Sequence, residues 1–195
     1  MSSRQRSETV DLVQLYDQRN DRAMELDSVE NTLPMMTRSH HTIHEGNHYT
    51  VAVLDADVDI AGPKYVRITT PNTTARIHFN AVVSAGAAAT VEFYENPTLN
   101  AAGNGLTEYN NDRNSTNTAV ATTFEDTTTQ APNNDGTLLF AFRVGGTGVG
   151  QTSVSGEGAT REEWILDQNQ DYLVKVTVDA DNTQVLINFL WYEVV

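Results

Sequence analysis

Four of the five histidines lie in one short stretch, Ser39–Tyr49, with the sequence SHHTIHEGNHY. Imidazole is a common ligand for zinc, copper and nickel, so this stretch is the first candidate for a metal site. His40 and His44 are four residues apart, but no acidic residue lies between them as one does in a zinc hydrolase. Gly46 is a typical turn residue and interrupts a continuing helix. We therefore favour a hydrogen-bonded turn that leads into the first strand over a metal site, and we predict no metal or other cofactor.

Two other stretches could bind ions. Asp55–Asp59 has an aspartate at every second position, as calcium loops do, but the places that need glycine and glutamate in an EF-hand hold Ile60 and Val66. Gly145–Gly158 contains six glycines, yet no lysine follows and no helix pattern begins there, as a phosphate-binding loop requires. We expect both stretches to be loops without a bound ion.

No nucleophile of a known catalytic pattern is present. The chain has no cysteine, which excludes thiol catalysis, disulfides and zinc–thiolate sites, and it has no G-x-S-x-G motif. His78 stands in the middle of an apolar alternation, where a structural role is more common than general-base catalysis. The sequence predicts that the protein is not an enzyme.

The charge balance limits the partners. Twelve basic residues against 26 acidic ones give a net charge of −14, and the only lysines are Lys64 and Lys175. Such a surface repels phosphate backbones and anionic lipids, so we predict neither a nucleic-acid nor a membrane partner. A basic protein partner and a merely solvated surface remain open. The N-terminal stretch is polar and lacks a signal-peptide core, which favours a cytoplasm-like compartment.

Period-2 alternation determines the predicted fold. Ile77, Phe79, Ala81 and Val83 occupy every second place, and Val185–Trp191 repeats the pattern, which puts apolar side chains on one face of a strand. Similar runs without helical patterns between them indicate an all-β protein, a jelly-roll-like antiparallel β-sandwich with extra edge strands; an immunoglobulin-like sandwich is the second choice. The predicted strands are Tyr49–Leu54, Lys64–Thr70, Ala75–Ser84, Ala88–Tyr94, Leu106–Tyr109, Ala119–Glu125, Thr137–Val144, Glu163–Leu166, Tyr172–Val178 and Gln184–Glu193. The third and fourth are predicted to form a hairpin about Ala85–Gly86.

An N-terminal arm, residues 1–39, is predicted to precede the sandwich domain, residues 40–195. Leu12, Leu15 and Tyr16 share one face of two helical turns, which is too short to be stable alone. We expect an extended or partly helical arm that becomes ordered against a partner.

Several stretches carry a resemblance. HHTIHEGNHY at His40–Tyr49 resembles the histidine-rich entry of small virion structural proteins from tailed bacteriophages, the head decoration or cement proteins and related components. Further stretches that look like the same group are YENPT at Tyr94–Thr98 with Gly105 and Leu106, YNNDRNS at Tyr109–Ser115, REEWILDQNQDYLV at Arg161–Val174, and the terminal WYE at Trp191–Glu193. The resemblance covers about residues 40–195.

The resemblance implies a jelly-roll or similar β-sandwich that forms homo-oligomers, with a trimer favoured, and sits on the outer surface of the phage head after assembly in the host cytoplasm. Its implied partner is the major capsid protein, and it implies no catalytic residues. The alternative is a tail, fibre or baseplate-associated β-sandwich that binds a host receptor or glycan. We expect capsid contact through the arm and the junction that follows it, at Leu12, Leu15, Tyr16, Met35, Met36, His40, His41, His44 and His48. We expect self-association through an Asn-rich loop, at Tyr109, Asn110, Asn111, Arg113 and Asn114.

Overall fold

The computed structural model describes residues 16–17, 22–23, 38–126, 131–145 and 163–194. The chain divides into two compact units, Met1–Thr37 and Arg38–Val195. In the first unit, β1 (Tyr16–Asp17) pairs antiparallel with β2 (Arg22–Ala23). Tyr16, predicted at the end of two helical turns, is therefore a strand residue; the rest of that predicted helix lies outside the described residues.

The described residues of the second unit form one helix and eleven strands. They are α1 (Arg38–His44), β3 (His48–Val58), β4 (Lys64–Thr69), β5 (Arg76–Ala85), β6 (Ala89–Glu95), β7 (Asn104–Gly105), β8 (Tyr109–Asn110), β9 (Thr122–Asp126), β10 (Thr137–Val144), β11 (Trp164–Leu166), β12 (Asp171–Val178) and β13 (Thr183–Val194). The predicted strand at Leu106–Tyr109 is wrong as a single element, because β7 ends just before it and β8 begins only at its last residue, Tyr109. The other predicted strands are present within a few residues of their predicted ends.

The strands form two antiparallel sheets with jelly-roll connectivity. One sheet has the order β11-β5-β13-β3-β8, and the other has the order β10-β6-β12-β4-β9-β7. Apart from β7, β8 and β9, the strands form two quartets, β11-β5-β13-β3 and β10-β6-β12-β4. From β3 to β6, and again from β10 to β13, successive strands alternate between the two sheets. The predicted all-β jelly-roll sandwich with extra edge strands is confirmed.

The predicted hairpin about Ala85–Gly86 is wrong. β5 pairs with β13 and β11, whereas β6 pairs with β12 and β10, so the turn between them carries the chain from one sheet to the other. β5 and β6 each bury one face against the opposite sheet. A short turn between two half-buried strands has the same sequence pattern at a sandwich corner as in a hairpin.

The core lies between the two sheets and follows the alternation. From β13, Val185, Ile187, Phe189 and Trp191 are each at most 1% exposed, and they face a core that includes Val66, Ile68, Val174 and Val176 of the other sheet. Ring contacts join the layers, with Phe79 and Phe93 stacked at 5.6 Å between centroids. Burying each such side chain contributes about 1.5–3 kcal/mol, and this packing fixes which face of each strand points outward.

The aspartates predicted in a loop between the first two strands begin inside β3. Asp55 and Asp57 are strand residues, because β13 continues to pair with β3 as far as Val58. Asp55 accepts a hydrogen bond from Lys64 Nζ at 2.7 Å, and Lys64 also contacts Glu125. The Lys64 ammonium holds the pKa of Asp55 below its ordinary value.

Candidate interaction surface

The junction before the first long strand is a short helix with a glycine cap. α1 ends in a Schellman motif, in which Gly46 N donates to Ile43 O at 2.9 Å and Asn47 N donates to Thr42 O at 2.9 Å. Gly46 has φ 68°, the left-handed conformation that this cap requires. The predicted hydrogen-bonded turn is present at Glu45 and Gly46, directly before β3, and Gly46 ends the seven-residue helix as expected of a helix-breaking residue.

The helix presents three of the four junction histidines. His40, His41 and His44 are exposed, while Thr42 is 4% exposed and anchors the helix to the domain. His40 Nε2 and His44 Nε2 lie 3.0 Å apart on successive turns, and His41 Nδ1 lies 3.4 Å from a carboxylate oxygen of Glu45. These three side chains can reach a partner without any change in the fold.

His48 has a different environment from the other junction histidines. It is 6% exposed, and its ring stacks on Tyr192, whose other face meets His78 with the ring centroids 4.5 Å apart. Burial lowers the pKa of His48. The Asn111 amide donates to His48 Nδ1 at 2.8 Å, so the neutral ring carries its proton on Nε2. His48 therefore lies inside the domain. Of the junction histidines, only the exposed His40, His41 and His44 remain candidates for the predicted capsid contact.

The end of α1 and the Asn-rich loop are in contact, although we predicted them from the sequence as two separate surfaces. Asn110 is 8% exposed, and its amide donates to Gly46 O at 2.7 Å and to Asn117 O at 3.2 Å. The backbone of Asn111 donates to His48 O at 2.9 Å. Asn110 and Asn111 thus tie the loop to the end of α1, and Asn110, being buried, is not a surface contact.

The exposed end of this loop displays an aromatic ring beside a cation. Tyr109 is 53% exposed, and the Arg113 guanidinium carbon lies 5.5 Å from its ring centroid. Two consecutive Asx turns fix the backbone of this loop. Asp112 N donates to Asn110 Oδ1 at 2.9 Å, and Asn114 N donates to Asp112 Oδ1 at 3.0 Å. Tyrosine and arginine on a preorganised loop are the side chains that contribute most at protein interfaces.

A buried carboxylate fixes the chain that follows the loop. Glu193 is 4% exposed and accepts hydrogen bonds from Val120 N at 3.0 Å, Ala121 N at 3.1 Å and Trp191 Nε1 at 3.1 Å. Burial raises the pKa of Glu193, and the hydrogen bonds act in the opposite direction. This contact attaches the residues before β9 to the last strand of the other sheet.

The largest feature that the sequence did not reveal lies on the outward side of the five-stranded sheet, where the strand register aligns ten side chains in three rows that we call the outer face. The rows are Leu54, Leu186 and Ser84; Ala52, Asn188 and Val82; and Tyr109, Thr50, Leu190 and Asn80. All ten are uncharged, in a chain with a net charge of −14. Beyond the third row the same side continues with His48, Tyr192, His78 and Ile165, which adjoin the carboxylate of Glu163, and with Arg76. Tyr109 of the Asn-rich loop lies opposite Thr50, so the predicted self-association loop continues this face.

The outer face is partly exposed and of moderate size. Leu54 is 63% exposed, and Leu186, Leu190 and Val82 are half-buried by their neighbours. Three rows across three to four strands cover roughly 300–400 Å² at ordinary strand spacings. A stable two-protein interface buries about 800 Å² on each partner. The outer face is therefore large enough to contribute a contact, and too small to hold a complex alone.

The predicted site residues have four outcomes. His40, His41, His44, Tyr109, Arg113 and Asn114 are exposed, Asn111 is half-buried, and His48 and Asn110 are buried. Leu12, Leu15, Met35 and Met36 lie outside the described residues. The outer face could have been found by reading the other half of each strand alternation, since Ala52, Leu54, Val82, Leu186 and Leu190 are apolar at positions that must point away from the core.

The described part of the chain holds no ready metal centre and no membrane-spanning helix. Within residues 38–126, 131–145 and 163–194, no group of three or more histidine, aspartate or glutamate side chains is placed to hold a metal ion. No helix of the described residues is long and apolar enough to cross a membrane. Comparison with known proteins finds no matching family model, curated protein or solved structure.

Proposed function

We propose that the protein is a virion structural protein that decorates the outside of a bacteriophage head. In this proposal it docks on the major capsid protein through its N-terminal arm and the exposed histidines of α1, and it associates with further copies of itself, as a trimer, through the outer face. It has no catalytic role and stabilises the shell by binding the assembled lattice in preference to its free subunits.

The observation that carries the proposal is the uncharged outer face. A protein with a net charge of −14 repels further copies of itself, and an interface costs least where neither side brings a charge that must lose its water. Depletion of charge with aromatic enrichment is also the composition of interface centres. Tyr109 with Arg113 beside it provides the aromatic and cationic pair at one end of the face.

The fold is compatible with this role without deciding it. Jelly rolls occur in viral capsid proteins and also in lectins and cupins, so the architecture leaves several functions open. The resemblance of His40–Tyr49 and of the later stretches to phage decoration proteins favours the capsid role.

The modest size of the outer face suits a lattice. An area of roughly 300–400 Å² supports a weak pairwise contact. A shell presents many sites at fixed spacing, so weak contacts within one ring of copies and with the shell below add through effective concentration. Such a protein binds a capsid far more tightly than it binds a single capsid subunit.

Capsid binding is the decisive experiment. The purified full chain is mixed with mature capsids and with dissociated capsid protein, sedimented, and the decorated particles are imaged by electron cryomicroscopy. We expect saturable density on the outer head surface and weak binding to the dissociated protein. Density confined to the tail, or binding to host cells with none to capsids, would instead support a receptor-binding tail component.

Self-association is tested with two matched substitutions. Leu54→Glu adds a charge at the outer face, and Ile60→Glu adds the same charge at an exposed apolar residue outside it, 52% exposed. We expect Leu54→Glu to weaken association at least tenfold in analytical ultracentrifugation, because loss of one buried leucine costs about 1.5–3 kcal/mol and 1.4 kcal/mol is a factor of ten. Ile60→Glu should associate like the wild type, and association should strengthen with added salt. Equal effects of the two substitutions would remove the outer face from the proposal.

A further inference from the structure

His40 and His44 have the spacing of a chelating pair. They are four residues apart on α1, so their side chains lie on the same side of the helix one turn apart. The two Nε2 atoms are 3.0 Å apart and share a hydrogen bond, and the ring centroids are 4.9 Å apart. Both rings therefore direct Nε2 towards each other, and a metal ion bound by the pair would replace the proton that they share.

The distances fit one metal ion bound by both rings. With metal–nitrogen bonds of about 2.0–2.1 Å, nitrogens 3.0 Å apart subtend roughly 90–97° at the ion. That is the angle between neighbouring ligands in square-planar or octahedral coordination, which Cu²⁺ and Ni²⁺ prefer. Tetrahedral Zn²⁺ would require the nitrogens to be about 3.3–3.4 Å apart.

The helix holds the pair in place. Thr42 is 4% exposed on the opposite side of α1, and the Gly46 cap closes the last turn. The other described histidines do not take part in the pair, since His41 lies beside Glu45, His48 accepts a hydrogen bond from Asn111 and His78 contacts Glu163. His40 and His44 lie on successive turns of one helix, so an ion can replace the hydrogen bond between them without moving the backbone.

We propose that His40 and His44 form a surface chelate for a divalent transition metal, with the preference Cu²⁺ over Ni²⁺ over Zn²⁺. The two rings supply neighbouring positions with their protons on Nδ1, and water fills the rest, because no third ligand of the described residues is placed to join them. Ions that prefer oxygen ligands, such as Mg²⁺, are not bound. The inference does not depend on capsid docking or on the outer face.

The test uses the full chain without an affinity tag. Its melting temperature is measured with Cu²⁺, Ni²⁺, Zn²⁺ or Mg²⁺ in a non-chelating buffer. With every metal at one concentration, a hundredfold above the dissociation constant for Cu²⁺, we expect a rise of about 5–10 °C with Cu²⁺, a smaller one with Ni²⁺, a still smaller one with Zn²⁺ and none with Mg²⁺. His40→Ala and His44→Ala should each abolish the rise. His41→Ala, at a position on the same helix that is also exposed, is the matched control and should keep it.

Electron paramagnetic resonance of the Cu²⁺ complex gives a second measurement. Two equivalent imidazole nitrogens in the wild type and His41→Ala, and at most one in His40→Ala, would support the chelate. A wild-type melting temperature that metals leave unchanged would overturn it. Equal loss in His41→Ala, or two nitrogens retained in His40→Ala, would also overturn it.

Discussion

Replacing Glu193 by alanine tests how the chain before β9 is attached to the sandwich. The carboxylate receives three hydrogen bonds, from Val120 N, Ala121 N and Trp191 Nε1, over distances of 3.0–3.1 Å. Alanine removes the acceptor and leaves all three donors in place. The perturbation therefore changes one contact between β13 and the segment that follows the Asn-rich loop.

The magnitude follows from how many donors are cut off from water. The hydrogen bonds from Ala121 N and Trp191 Nε1 are buried, while that from Val120 N is partly buried. A buried donor left without a partner costs about 1–3 kcal/mol, and part of this is offset because the carboxylate no longer has to be buried. We expect a loss of about 3 kcal/mol, equivalent to a decrease of roughly 6–12 °C in melting temperature for a chain of this size.

The assay is urea unfolding followed by tryptophan fluorescence, with Glu45→Ala as the control. Glu45 is exposed, and its carboxylate lies 3.4 Å from His41 Nδ1. A surface pair of this kind contributes at most about 0.5 kcal/mol. Amide exchange should also quicken at Val120 and Ala121 in the Glu193→Ala protein. If the two variants unfold at the same urea concentration, Glu193 does not hold this segment and the reasoning is refuted.

Three more results are expected. Gly46→Ala should cost at least about 1–2 kcal/mol in urea unfolding, because Gly46 has φ 68° and a Cβ would lie 2.2 Å from Ser115 Oγ. Burial raises the pKa of Glu193 above 4.5, so its stabilising contribution is full at acidic pH and is lost as pH rises through the folded-state pKa. The unfolding free energy of wild type minus that of Glu193→Gln should therefore fall from pH about 4.5 upward; a flat difference would contradict this. Lys64→Met should raise the pKa of Asp55 towards 3.8 in a carboxyl NMR titration, and an unchanged pKa would exclude the ammonium as its cause.

Much of the fold could be predicted, because strand alternation has a direct physical cause. A strand with one face in the core must place an apolar side chain at every second position, and β10 was predicted at its observed limits, Thr137–Val144. Strand pairing could not be predicted from alternation. The strands before and after the Ala85–Gly86 turn have the same half-buried pattern whether they pair with each other or lie in opposite sheets across the core. The jelly-roll class was nevertheless right, since strand number and spacing limit the ways to close two sheets.

The candidate surface was predictable only in parts. His40 and Tyr109 attract attention by residue type, but the strand pairing that places Tyr109 next to Thr50 joins positions 59 residues apart. The burial of His48 and Asn110 also depends on long-range contacts, since each bonds to the other's segment. The outer face depends on the pairing register between strands. Alternation shows which residues of one strand point outward, but it does not show which residues of two strands lie side by side.

The distribution of charge, more than its amount, argues for association through the outer face. If the acidic residues were spread evenly, every approach between copies would meet repulsion that is screened only beyond about 8 Å at physiological salt. The three rows from Leu54 to Asn80 form a region where two copies can approach without burying a carboxylate. Apolar burial there is favourable but small, so under the proposal free copies associate weakly, measurably only at high protein concentration, and copies fixed on a lattice associate more strongly. The proposal therefore expects a surface that brings the copies together to strengthen an association that is already present in solution.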